Sequence, residues 1–142
     1  MTIARIIESR SSEILTCDVS ATVSEAIAIL GGRRIGALPV IKDRAVVGIF
    51  SERDVIYKLR ELGPSALDML VQDAMTAPAV TVTRSTGALE ALALMTKRRI
   101  RHLPVLEDGK MIAFVSIGDV VKYRIEQVES EAAAMRDYIQ TA

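Results

Sequence analysis

The chain repeats itself. Residues 15–58 align on residues 80–123 with a constant offset of 65 and no gap. Identical pairs run along the whole alignment: Glu25/Glu90, Ala26/Ala91, Arg33/Arg98, Arg34/Arg99, Ile35/Ile100, Leu38/Leu103, Pro39/Pro104, Val40/Val105, Asp43/Asp108, Ser51/Ser116, Asp54/Asp119 and Val55/Val120. A unit of about 45 residues buries too little surface to be comfortable alone. The two copies are therefore expected to pack face to face as a pseudo-twofold pair.

The shared pattern reads strand, helix, strand, strand, helix, an α+β fold with α/β-type layers. β-branched Thr and Val open it, at 14–18 and 79–83. In the helix that follows, Val23, Ala26, Ile27 and Leu30, and then Ala88, Ala91, Leu92 and Met95, keep the i, i+3, i+4, i+7 spacing of one buried stripe. Ser20 and Ser85 stand just ahead of these helices, near plausible caps. Two strands come next, at 37–41 and 46–50 and again at 102–106 and 111–115. Asp108-Gly109 is a tight-hairpin signal and Lys42-Asp43-Arg44 its weaker counterpart. Pro39 and Pro104 cannot donate to a ladder and are expected at a strand start or an edge. The second helix of each copy begins at Ser51 and at Ser116.

Gly63-Pro64 ends the first copy and Ala77-Pro78 opens the second. The division is a first repeat at 1–62, a linker at 63–78 with a short bridging segment at 67–71, a second repeat at 79–128 and a helical tail at 129–142. Towards that tail Val121, Ile125, Val128, Ala132, Met135 and Ile139 step by 4, 3, 4, 3 and 4, a heptad-like stripe. It either packs back on its own repeat or docks on a second subunit, being too short for an independent coiled coil.

Composition removes several function classes. In 142 residues, 18 Lys and Arg balance 18 Asp and Glu, so no overall field draws the chain to nucleic acid or an anionic membrane. No stretch approaches the ~18 consecutive apolar residues of a membrane span, and the opening Met1–Glu8 lacks a secretory pattern, so a cytoplasmic protein is expected. The single Cys17 permits no internal disulfide and no cysteine-built zinc site, and is read as a small buried hydrophobe. With one histidine and no nucleophile–base pair, neither catalytic nor metal-ligating residues are assigned and no enzyme is expected.

Gly48-Ile49-Phe50-Ser51-Glu52-Arg53-Asp54 and Ala113-Phe114-Val115-Ser116-Ile117-Gly118-Asp119 each follow a strand that reads Leu-Pro-Val. On these residues the chain resembles the cystathionine β-synthase (CBS) domain family over nearly its whole length, and especially stand-alone bacterial CBS pairs. The resemblance implies two clefts between the repeats that hold AMP, ADP, ATP, NAD(H) or S-adenosylmethionine. It also implies a regulatory module without a catalytic cofactor, acting on a partner protein, and a homodimer. It gives Asp54 and Asp119 the ribose hydroxyls, and Ser51 and Ser116 the phosphate or ribose. The base falls to Leu15, Thr16, Ile35, Gly36 and Ala37 of one copy and to Val80, Thr81, Ile100, Arg101 and His102 of the other. These roles are chemically apt, since a carboxylate accepts two donors from a vicinal diol and helix-start amides favour an anion.

Plainer readings compete. Ser51-x-x-Asp54 and Ser116-x-x-Asp119 also fit capping boxes that need no ligand. In the basic run 97–102, Arg98 and Arg99, like Arg33 and Arg34, complement a helix C-terminus. Arg101 and His102 lie beyond it, where the resemblance places phosphate-binding basic residues, and Arg53 offers a further guanidinium fork. Gly36 and Ala37 are uncharged at the matching positions, so the clefts are unequal and the copy-two cleft is the expected phosphate site. Gly31-Gly32 ends a helix rather than opening one, which excludes a dinucleotide loop. The alternatives are a ligand-free scaffold and, disfavoured by neutral charge and few aromatics, nucleic-acid binding through 97–102.

Overall fold

The computed structural model describes residues 1–9 and 13–141; Arg10, Ser11, Ser12 and Ala142, which fall within the 1–62 and 129–142 spans above, lie outside the described residues. The repeat appears as two three-stranded sheets, β1 (Cys17–Asp18), β2 (Ala37–Lys42) and β3 (Ala45–Ser51), then β4 (Val82–Thr83), β5 (His102–Glu107) and β6 (Lys110–Ser116). In each sheet the middle strand in sequence is central, parallel to the first and antiparallel to the third. The register keeps the offset, with Val40 opposite Gly48 and Val105 opposite Ala113. Helices α2 (Val23–Arg33) and α3 (Glu52–Leu62) belong to the first copy, α5 (Ala88–Arg98) and α6 (Ile117–Thr141) to the second. The helical stripe is buried as expected, with Val23, Ala26 and Leu30 in one core and Ala88, Ala91 and Met95 in the other.

Four local expectations change. The first strands cover only 17–18 and 82–83, because β1 and β4 each pair with just two residues of the central strand. Residues 13–16 therefore run as irregular chain before β1. Pro39 lies inside the central strand rather than at its start or at a sheet edge. It opposes Ile49, whose N–H and C=O both bond Thr76 at 2.9 Å instead of β2, and pairing with β1 begins only at Val40. The missing proline N–H thus costs no ladder bond. The caps are Thr22 and Gly87, not Ser20 and Ser85. Thr22 Oγ1 accepts from the Glu25 amide at 3.1 Å, while Ser20 is occupied in donating its hydroxyl and amide to Asp18. The two hairpins are alike despite their different sequences. Asp43 and Arg44 have φ of 50° and 68°, Asp108 and Gly109 51° and 76°, so Arg44 takes the left-handed conformation for which glycine is the low-strain choice.

Short helices close the two cores by exchange. Helix α1 (Ile3–Glu8) precedes the first repeat in the chain, yet Ile3 and Ile6 sit in the core with Val82, Met95, Leu103 and Val120. The Ile3 amide donates to Thr86 O at 2.9 Å, and the Ala88 amide to Met1 O at 3.2 Å. A 3-10 segment (Gly63–Asp68) and α4 (Val71–Ala74) do the same for the other half, bringing Val71 and Ala74 against Val23, Leu38 and Phe50. Helix α6 runs unbroken over 25 residues, roughly 37 Å at 1.5 Å per residue. Its heptad-like stripe does not pack back: Val121, Ile125, Val128, Met135 and Ile139 are exposed, and Val120 is the residue that enters the core.

Candidate functional site

Two cavities lie between the repeats, and each draws its walls from both. The first, about 300 Å³, joins Ser51, Glu52, Arg53 and Asp54 of copy one to Val80, Arg98, Arg99, Ile100, Arg101 and His102 of copy two. The second, about 390 Å³, joins Ser116 and Asp119 of copy two to Leu15, Ile35, Gly36 and Ala37 of copy one. The acidic motif of one repeat thus faces the strand entry of the other. Gly36, Ala37 and His102 border both cavities.

Local sequence explains how the motifs are presented. The Glu52 amide donates to Gly36 O at 3.0 Å and the Ile117 amide to Arg101 O at 2.7 Å, which pins each helix start to its own strand entry. Ser51 caps α3, and both its amide and its hydroxyl donate to Asp54 Oδ2, at 2.9 and 3.2 Å. Ser116 treats Asp119 Oδ2 in the same way, at 2.8 and 2.9 Å. The capping-box reading therefore holds, and it fixes the two carboxylates in place. Asp54 is 8% exposed and its Oδ1 accepts from Thr76 Oγ1 at 2.9 Å, so the linker reaches into the site.

The basic residues gather on one side. Arg53 reaches across the repeats and donates to the Arg99 carbonyl at 2.8 Å. Arg99, at φ 55°, is the left-handed cap that ends α5 and swings the chain towards the cleft. Arg98 and Arg99 consequently line the Asp54 cavity alongside Arg101, which corrects their reading as residues that only complement a helix end. His102 stacks on Phe114, with centroids 5.2 Å apart and planes at 18°. Burial and the neighbouring Arg101 charge hold its imidazole below the usual histidine range, against the opposing pull of Asp119 and Glu52. It is neutral at pH 7.

Of the residues singled out from sequence, thirteen border these cavities, and Thr16 and Thr81 border neither. Each lies just ahead of its short strand and is exposed, while the residue that follows it, Cys17 or Val82, is buried. Ile7, Glu13, Ile14 and Ile112 in one cavity, and Tyr57, Thr76 and Pro78 in the other, come from segments the motif does not include, while Phe114 lies within it. Cys17 is buried, and desolvation with the Asp18 charge pushes its thiol up to about 11, so it is a poor nucleophile. Among the described residues no group of three His, Cys, Asp or Glu could hold a metal, and no helix is long and apolar enough to cross a membrane.

The CBS domain model matches residues 6–61 and 71–126. The mitochondrial CBS domain-containing protein CBSX3 of Arabidopsis thaliana is 38% identical over 94% of this chain, which spans 67% of that relative. The chain spans only 23% of CBSCBSPB2 from the same plant, to which it is 32% identical. Among solved structures, a protein with CBS domains from Burkholderia ambifaria superposes with a TM-score of 0.83 at 37% identity, covering 89% of this chain and 95% of that one. CBSX2, solved in complex with AMP, superposes with a TM-score of 0.73 at 26% identity, covering 88% and 97%. Two matched repeats, the doubled Ser-x-x-Asp motif and the crosswise cavities lead to one assignment: the chain belongs to the CBS domain family, as a tandem pair.

Proposed function

We propose that this CBS pair is a regulatory module that binds an adenine nucleotide in the Asp54 cavity and passes the change in shape to a partner protein. One observation carries the reading: a buried carboxylate, held by its own helix cap, stands in a cavity with Arg53, Arg98, Arg99 and Arg101. The carboxylate suits a ribose diol and the guanidiniums suit phosphate. Ile100, Val80 and Pro78 supply apolar walls for a base. The complex of the relative CBSX2 with AMP supports the same ligand class. Thr76 occupies Asp54 Oδ1, so a ribose hydroxyl must share or displace that bond. A signal through the linker follows if ligand affinity differs between the two positions of Thr76.

Exposed apolar faces supply a means of assembly. Ile56, Tyr57 and Leu62 on α3 and Val121, Ile125 and Val128 on α6 occupy related helices of the two repeats. A homodimer that pairs these faces places the sensor in an assembly, with the regulated protein as its reader.

Thermal unfolding tests the nucleotide reading. AMP at about 100 times its dissociation constant should add about 2.7 kcal/mol, and each kcal/mol raises the midpoint by roughly 2–4 °C for a chain near this size. Asp54→Asn should abolish most of that shift. If AMP, ADP, ATP, NADH and S-adenosylmethionine all leave the midpoint unmoved, the reading fails. The scaffold reading, which the ligand-independent capping boxes favour, then stands, with assembly intact in Asp54→Asn.

A further inference from the structure

Helix α6 continues past the repeat it belongs to. The CBS domain model ends at residue 126, while the helix runs to Thr141. Val120 enters the core and Tyr123 packs against it, so the helix meets its own repeat along one side. The stripe of Val121, Ile125, Val128, Ala132, Met135 and Ile139 starts one residue, about 100°, further round and is exposed throughout. Four of its six members lie beyond residue 126. We infer that this stripe is the seam of a parallel, in-register two-stranded coiled coil with α6 of a second copy. The inference rests on the homodimer proposed above and gives it an orientation, with the two second repeats on opposite sides of one helix pair.

Flanking charge selects a second copy as the occupant. The a positions are Ile125, Ala132 and Ile139 and the d positions Val121, Val128 and Met135, and β-branched Ile at a favours two strands. In a parallel pair each g residue faces the e residue five places on in the other helix. Arg124 then faces Glu129 and Glu131 faces Arg136, each twice by symmetry. A slip of one heptad instead sets Arg124 against Arg136 and Glu131 against Glu129. Arg124 already donates to Gln127 Oε1 at 3.1 Å, so the fully exposed Glu131 and Arg136 carry most of the selection.

Antiparallel pairings fit less well. Centred on residue 130, one opposes Glu129 to Glu129 and Lys122 to Arg136. Centred between 133 and 134, it matches Glu129 with Arg136 but sets Glu131 against Tyr138. Centred between 126 and 127, it matches charge, yet both second repeats then lie at one level on the same side of two helices whose axes are about 8–10 Å apart, which leaves no room for both. Length is no obstacle. A free helix of this size is marginal, but the first turn of α6 is already formed on its repeat, where Ser116 Oγ accepts from the Asp119 amide at 3.2 Å and Val120 is buried.

Sedimentation equilibrium of the full chain without nucleotide tests this. The expected result is a dimer. Glu131→Arg or Arg136→Glu, each turning two attractions into repulsions, should raise its dissociation constant about tenfold. Mixed in equal amounts, the two variants should form a heterodimer of about the original affinity, because both 131–136 contacts again join opposite charges. Met135→Cys should cross-link under a thiol oxidant such as diamide, and Ser130→Cys, on the opposite face of the helix, should not; the native Cys17 is buried. A dimer indifferent to both charge variants, a heterodimer no tighter than the two variant homodimers, or failure of Met135→Cys to cross-link would each overturn the parallel seam while leaving the homodimer in place. A chain that sediments as a monomer up to millimolar concentration would remove both and leave the nucleotide reading untouched.

Discussion

Phe50→Ala is expected to lower the unfolding free energy by about 3–5 kcal/mol, the usual cost of emptying a buried aromatic position. Phe50 is fully buried, opposes Leu38 across the β2–β3 ladder and packs with Val23, Val71 and Ala74. Its neighbours come from a strand, a helix and the linker, which cannot all move inward together, so the cavity should stay open. A domain of this class has only about 5–15 kcal/mol in total. The variant should therefore unfold at a much lower urea concentration with an unchanged slope. A loss under about 1 kcal/mol would mean that these three elements are not packed as described.

Gly48→Ala is expected to cost about 1–3 kcal/mol through overpacking and to ease AMP binding, because it draws away the Thr76 hydroxyl that a ribose hydroxyl would otherwise have to displace from Asp54 Oδ1. A Cβ at Gly48 would stand 2.7 Å from Met75 Sδ and 2.9 Å from Thr76 O. The thioether can turn away. The carbonyl cannot, because Thr76 exchanges two 2.9 Å backbone bonds with Ile49. Pushing that segment outward also withdraws the Thr76 hydroxyl that holds Asp54. The repeat supplies a control, since Ala113 occupies the matching position and already carries the methyl group. Ala113→Gly should cost only about 0.5–1 kcal/mol, the entropic penalty of a glycine in a strand. Urea unfolding and AMP titration of both variants decide it, and equal losses of stability at the two positions would count against a close approach unique to the first copy.

The fold was legible because each local signal occurred twice. A helix stripe at Val23–Leu30 and again at Ala88–Met95, or a hairpin at Asp43 and again at Asp108, leaves little room for a wrong period. Features outside the aligned segments were less legible. Nothing in Ile3–Glu8 states which half it covers, because an apolar pair on a short helix fits any open core. The site divides in the same way. The Ser and Asp of each motif were readable because capping chemistry and ligand chemistry demand the same residues at the same spacing. Their partners across the cleft were not, because Arg53 meets Arg99 through a contact 46 residues apart and Asp54 meets Thr76 through one of 22. Contacts of that range are set by how β3 and β6 come together, and no window of sequence contains them.

Helix α1 and the linker helix have exchanged sides, and this bears on how such a molecule can be taken apart. A cut after Leu62 would not release two working halves. The leading fragment would lose Val71 and Ala74 from beneath its own sheet, and the trailing one would lose Ile3 and Ile6, which depart with the other piece. Neither fragment retains a complete interior, so the smallest unit that evolution or an engineer can transplant is the interlocked couple.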